Sequence, residues 1–115
     1  MAEFYTKIVG VTFNNDDGTN RQDLLEDLDV LPFPIQVHLK WEEDNPHDPH
    51  AVAVISPSGK KLGYLFRRLA FSVSNMLDTG HSIYAEITQL TGTEDIGHNY
   101  GANLRIEAEP PTFAA

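Results

Sequence analysis

The sequence predicts a mostly β domain with two short helices, a small barrel of about six antiparallel strands. Three observations predict it. Ile35-Gln36-Val37-His38-Leu39-Lys40-Trp41-Glu42 alternates apolar and polar residues without a break, which is the period of a half-buried strand. Short runs rich in β-branched and aromatic residues recur along the chain, separated by clusters of Gly, Pro, Asn and Asp, as hairpin-linked strands do. Helical periodicity shows in only two stretches, and both are short.

The elements follow in order. Phe4-Tyr5-Thr6-Lys7-Ile8-Val9-Gly10-Val11-Thr12-Phe13 reads as strand one, with Gly10 marking a bulge or a close approach of backbone. Asn14-Asn15-Asp16-Asp17-Gly18-Thr19 is turn chemistry. Asn20 is placed to cap a helix over residues 21–29 that turns Leu24, Leu25 and Leu28 to one face and leaves its acids solvated. The alternating segment over 35–42 follows, with Trp41 directed to the core. Ala51-Val52-Ala53-Val54-Ile55 is apolar on both faces, so it reads as a central strand. Pro57-Ser58-Gly59 turns the chain into a partner strand over residues 60–65. A second helix begins at Phe66 or Arg67, lines one face with Leu69, Ala70, Val73, Met76 and Leu77, and ends at Gly80. Two more strands, 81–90 and 99–108, flank a turn-rich loop over 91–98. Residues 1–109 read as one domain and 110–115 as a tail. Six short strands with a late helix suit a small closed barrel of the oligonucleotide-binding kind.

The totals narrow the function. The chain of 115 residues fits one domain, with an ordinary globular balance of 41% hydrophobic and 22% charged residues. It has no cysteine, which removes disulfides, thiolate metal sites and a cysteine nucleophile. No apolar run approaches the ~20 residues of a membrane helix, and the first residues carry no secretory pattern, so a cytoplasmic location is expected. The net charge of −9 is unfavourable for phosphate binding. Its distribution is uneven, however. Between Pro49 and Leu77 there is no acid, while Lys60, Lys61, Arg67 and Arg68 lie there. A local basic face on an acidic body predicts weak, salt-sensitive binding.

The residues that stand out cluster in two segments. Asn45-Pro46-His47-Asp48-Pro49-His50 is a proline-locked polar turn entering a strand. It reads either as a rigid connector or as a preorganised rim in which Asn45 and Asp48 hydrogen-bond a ligand and His47 stacks on it. Arg67 and Arg68 open the second helix, where the dipole favours acids rather than bases. They read as solvated arginines or, with the helix N-terminus, as a phosphate site. Tyr64 and Phe66 share a face if the strand runs that far and offer a stacking surface; Phe13 is a further candidate. His47 and His50 with Glu42, Glu43, Asp44 and Asp48 near them raise a metal site, but two histidines spaced across prolines without a third ligand do not suit a closed one. No metal or other cofactor is therefore expected. No catalytic arrangement is recognisable, so no enzymatic activity is expected.

Taken together, Ile8-Val9-Gly10-Val11-Thr12-Phe13, Asn20-Arg21-Gln22, the segment from Asn45 to Val54, and Leu62-Gly63-Tyr64-Leu65 with its following helix resemble the HIRAN domain family. The order and spacing hold over most of the chain. The resemblance implies a modified oligonucleotide-binding barrel, found in DNA translocases that remodel stalled forks and as standalone or nuclease-fused bacterial and prophage proteins. It implies capture of single-stranded DNA or a DNA end, 3′ ends among them, in a pocket formed by the turn, the end of strand one and the start of the helix. By position that assigns Asn45, His47 and Asp48, then Thr12 and Phe13, then Arg67; Lys61, Tyr64 and Arg68 join them from the residues themselves. The family's usual turn tyrosine is His47 here, and Thr12 stands where the DNA-capturing form has arginine. The expected function is a non-catalytic DNA-binding module. The alternative is an acidic protein-interaction module that docks on a nuclease or translocase.

Overall fold

The computed structural model describes residues 2–92 and 99–112. Its elements are β1 (Ala2–Lys7), α1 (Arg21–Leu28), β2 (Ile35–Trp41), β3 (Val52–Ile55), β4 (Lys61–Tyr64), α2 (Arg67–Asp78), β5 (Ser82–Thr91) and β6 (Gly101–Glu109). The strands form one antiparallel sheet in the order β1-β6-β5-β2-β3-β4. β1 and β4 are its two edges, and the chain just beyond β1 ties them together. The Val9 N–H donates to the Tyr64 carbonyl at 2.8 Å, and the Tyr64 N–H donates to the Val9 carbonyl at 2.9 Å. The curled sheet is thereby joined edge to edge at one point. Gly63 makes this approach possible: a Cβ there would lie 2.4 Å from the Val9 carbonyl oxygen and 2.6 Å from Ile8 Cγ2.

The core lies inside the curl. Ile35, Val37 and Leu39 of β2 are buried in strict alternation with exposed Gln36, His38 and Lys40. β3 is buried on both faces, as a central strand must be. Ala102, Leu104, Ile106 and Ala108 of β6 point inward, opposite Ala85 and Ile87 of β5. A register shift between Ile87 and Gln89 returns Leu90 to the interior. Burying each valine, leucine or isoleucine among them contributes about 1.5–3 kcal/mol. Asn20 caps α1, its side-chain oxygen accepting from the Asp23 N–H at 3.0 Å, a contribution of about 1 kcal/mol. α1 packs Leu25 and Leu28 toward β4, and α2 packs Leu69, Ala70 and Val73 toward β3. α2 ends at Thr79 and Gly80, with the His81 N–H reaching back to the Met76 carbonyl.

Three sequence expectations are corrected. Strand one stops at Lys7 rather than Phe13, apart from the bridge at Val9. Gly10 (φ +71°) sends the chain into the left-handed region that side chains resist, so Thr12 and Phe13 lie in an exposed turn rather than at a strand end. Trp41 is half-buried at the barrel rim, outside the core, and its Nε1–H donates to the Pro49 carbonyl at 2.8 Å. Phe66 is not on β4: it occupies the N-cap position of α2 and is exposed, so it shares no strand face with Tyr64. Of the loop expected over 91–98 and the tail expected over 110–115, residues 93–98 and 113–115 lie outside the described residues.

Candidate nucleic-acid interface

The turn between β2 and β3 is built by its own side chains. Asn45 Oδ1 accepts from the backbone N–H groups of His47 (2.8 Å) and Asp48 (3.1 Å). Asp48 Oδ1 accepts from the His50 N–H at 2.9 Å, and its carbonyl from the Ala51 N–H at 3.0 Å. These are the local patterns by which Asn and Asp stabilise tight turns. Trp41 holds the far side through Pro49. His50 holds it to α2, with its Nδ1 3.0 Å from Ser74 Oγ and its ring edge-on to Phe71 at 4.7 Å. The turn is therefore fixed at both ends, with His47 exposed between them.

Glu42, the residue after β2, ties this turn to β4. Its carboxylate accepts from Asn45 Nδ2 (3.1 Å) and the Tyr64 hydroxyl (2.8 Å), and pairs with Lys61 Nζ (2.7 Å). Lys61 Nζ also donates to the Tyr64 hydroxyl. Burial pushes the Glu42 carboxyl up, but the hydrogen bonds from Lys61, Tyr64 and Asn45 outweigh it and hold the group below the usual carboxylate range. Burial likewise lowers the Lys61 ammonium, and its bonds to Glu42 and Tyr64 reverse this, leaving it above the ordinary lysine value. Arg21 lies beneath Tyr64 with only 7% of its surface exposed. It donates through Nε to Asn15 Oδ1 (2.8 Å) and through Nη1 to the Gly10 carbonyl (2.7 Å), which fixes the bend after Val9. Gln22 fastens α1 to Val11 and Tyr100 in the same way.

A groove of about 460 Å³ opens at the rim and is lined by Asn45, His47, Asp48, Tyr64 and Arg67, with Val9, Ala51, Leu65 and Ala70 as its apolar floor. Five of the nine residues singled out in the sequence thus meet in one place. Lys61 lines an adjoining hollow that shares Tyr64 with the groove. Arg68 lines another, which shares Asp48 and Arg67. Thr12 and Phe13 are exposed on the turn past β1 and line none of these three spaces. The first turn of α2 has no side-chain cap and no acid, so its N–H groups are available to an anion.

Folding neutralises much of the basic segment. Lys60 pairs with Asp17 (2.8 Å), Lys61 with Glu42, and Arg67 Nε lies 3.7 Å from Asp48 Oδ2. Elsewhere, on the strands β1, β5 and β6, Arg105 is surrounded by Glu3, Glu86 and Glu107. Its hydrogen bonds to Glu107 and Glu86 hold its pKa above the ordinary arginine value, and the bond from Arg105 lowers that of Glu86. Among the described residues no cluster of three His, Asp or Glu side chains is arranged to hold a metal, and no helix is long and apolar enough to cross a membrane.

The sequence left Glu42, Arg21 and His50 without a role at the site. Glu42 had a usable signal: it ends a strand whose next residues form the turn, so it had to stand at the rim. Arg21 entered only through the Asn20-Arg21-Gln22 run that carries the resemblance, because nothing local shows that a helix-opening arginine will be roofed by Tyr64 from a distant strand.

A curled antiparallel barrel with a groove between a rim turn and a helix start is an oligonucleotide-binding-like architecture. The family model for the HIRAN domain matches residues 1–109, and the chain belongs to the HIRAN family, a family of DNA-binding domains. Among solved structures it is similar to the HIRAN domain of human HLTF, with TM-score 0.65 and 18% identity over 90% of this chain and 72% of that one. It is also similar to a protein from Lactobacillus plantarum, with TM-score 0.60 and 22% identity over 92% of this chain and 99% of that one. These two likenesses are of fold. No curated protein matches the chain.

Proposed function

We propose that this chain binds single-stranded DNA or a DNA end, 3′ ends included, in the rim groove and performs no catalysis there. The observation that carries the reading is the convergence of Asn45, His47, Asp48, Tyr64 and Arg67 on one groove from the rim turn, the end of β4 and the start of α2, which is uncapped. A phosphate meets Arg67 and the N–H groups of α2, with Arg68 and Lys61 on either flank. A base lies against His47, with Tyr64 as the further aromatic surface in the groove. Asp48 accepts from a sugar hydroxyl or a base edge. Asn45 mainly holds the turn and has one amide hydrogen uncommitted among the described residues.

Because three of the four nearby cations already have carboxylate partners, few DNA counterions are displaced. With about two phosphates neutralised, the logarithm of the affinity falls with the logarithm of salt at a slope of roughly −1.4. Titration of a labelled short oligonucleotide at low salt tests this. Arg67→Ala is expected to weaken binding roughly tenfold and to flatten the slope by about 0.7. Equal binding by Arg67→Ala would show that the site is elsewhere; no binding by the parent would remove the function.

A second reading has its own observation, the carboxylate-rich face around Arg105 with exposed Tyr5 beside it. That face suits a basic protein partner such as a nuclease or translocase. Co-purification from the native host, repeated with Glu3 and Glu107 changed to Gln, tests it. A partner that survives the double change does not use this face.

A further inference from the structure

We propose that a strand held in the groove continues over the first turn of α2 and that its next nucleotide stacks on Phe71; this rests on the DNA-binding reading above. The hollow beside the groove measures about 500 Å³ and is lined by Asp48, His50, Arg67, Arg68, Phe71 and Ser72. It shares Asp48 and Arg67 with the groove, so only one side-chain pair divides the two spaces.

Phe71 is the reason to assign an occupant. The residue is 53% exposed on a helix whose other large apolar residues are turned inward. It stands four residues after Arg67 and three after Arg68, so each of the two arginine side chains neighbours it on the helix surface, and all three line the same hollow. The ring is also braced. His50 meets it edge-on at 4.7 Å and an interplanar angle of 61°. His50 is itself fixed through Ser74 Oγ and, at its backbone, through the Asp48 carboxylate. An aromatic face braced by His50 next to two guanidiniums matches the two halves of a nucleotide, a planar base and an anionic phosphate. The guanidiniums attract the acidic side chains of a protein partner as they attract phosphate, but the continuity with the groove selects the nucleotide. A bound strand that leaves the groove past Arg67 has this hollow as its next step.

The test uses fluorescence anisotropy at low salt with three labelled oligo-dT hexamers. One is complete, one is abasic at the position next to the 3′ end, and one is abasic next to the 5′ end. For the parent protein, one of the two abasic strands is expected to bind roughly tenfold more weakly than the complete strand. Phe71→Ala is expected to bind the complete strand roughly tenfold more weakly and to lose the discrimination. Phe71→Tyr is expected to keep both affinity and discrimination. Retention of full affinity by Phe71→Ala overturns the inference while leaving the groove as the binding site. So does a parent that binds all three hexamers equally, or a discrimination that persists in Phe71→Ala. If the parent binds no hexamer, the DNA-binding reading falls and this inference with it. Phe71 is on the surface, so an unchanged melting temperature in both variants separates lost contact from lost fold.

Discussion

Gly63→Ala lowers the thermal midpoint of the domain by roughly 10 °C. The added methyl would sit 2.4 Å from the Val9 carbonyl oxygen and 2.6 Å from Ile8 Cγ2. Neither neighbour can yield like the end of a flexible side chain. One is backbone, and the other belongs to a buried residue. The segments must separate, and the separation strains the two hydrogen bonds between Val9 and Tyr64. Overpacking of this kind costs about 1–3 kcal/mol, and the partial weakening of the two backbone bonds adds about 1 kcal/mol between them. A total near 3 kcal/mol is a large part of the 5–15 kcal/mol typical of a domain, and each kcal/mol shifts the midpoint by about 4 °C at this size. Val9 and Tyr64 also line the groove, so oligonucleotide affinity falls with the fold. Gly59→Ala is the control. Gly59 has a positive φ of +86° but nothing within 4 Å of its missing Cβ, so it bears only the conformational cost of about 1 kcal/mol. Melting curves of the two variants decide the matter. Equal shifts would mean that the edge-to-edge contact restrains nothing.

Glu42→Gln destabilises by about 2 kcal/mol at neutral pH, and the loss depends on pH. The substitution keeps an acceptor for Tyr64 or Asn45 but leaves the partly buried Lys61 ammonium without its counter-charge. The folded-state pKa of Glu42 is depressed. Its contribution is therefore fully present above the unfolded value of about 4.3 and is lost as pH falls through the lower folded value. Lys61 has a raised pKa, so its share is fully present below the unfolded value of about 10.4 and is lost only as pH rises through the folded value. Between these limits the gap in urea midpoint between parent and variant is constant. Below about pH 4 it narrows, because the parent's own carboxyl takes up a proton. A gap that stays the same from pH 7 down to pH 3 would contradict the pairing of Glu42 with Lys61.

What could be read in the sequence was what local chemistry decides. The alternation over Ile35–Trp41, the Asn20 cap and the hairpin at Pro57-Ser58-Gly59 each depend on residues a few positions apart, and all are present in the fold. The joining of Asn45, His47, Asp48, Tyr64 and Arg67 was also legible, because a rigid turn, a short strand and a helix start follow one another closely in the chain. The end of strand one was not. A run of β-branched residues looks the same before and after Gly10, and the bend there is fixed by Arg21 from the next element. The pairing state of the cations was hidden for a similar reason. The interval from Pro49 to Leu77 has no acid of its own, and the carboxylates that reach its side chains, Asp17, Glu42 and Asp48, come from before it. Trp41 obeyed the alternation but stands at the last position of its strand, where inward means toward the rim.

The contact between Asp48 and Arg67 has a kinetic consequence. Any anion that reaches this guanidinium competes with a carboxylate anchored 3.7 Å away, whose effective concentration does not fall on dilution. Arrival is easy, since the Arg67 side chain is 85% exposed. Departure is easy too, because a replacement is always at hand to take the vacated place. A guanidinium held in this way is expected to exchange its anions quickly instead of retaining them.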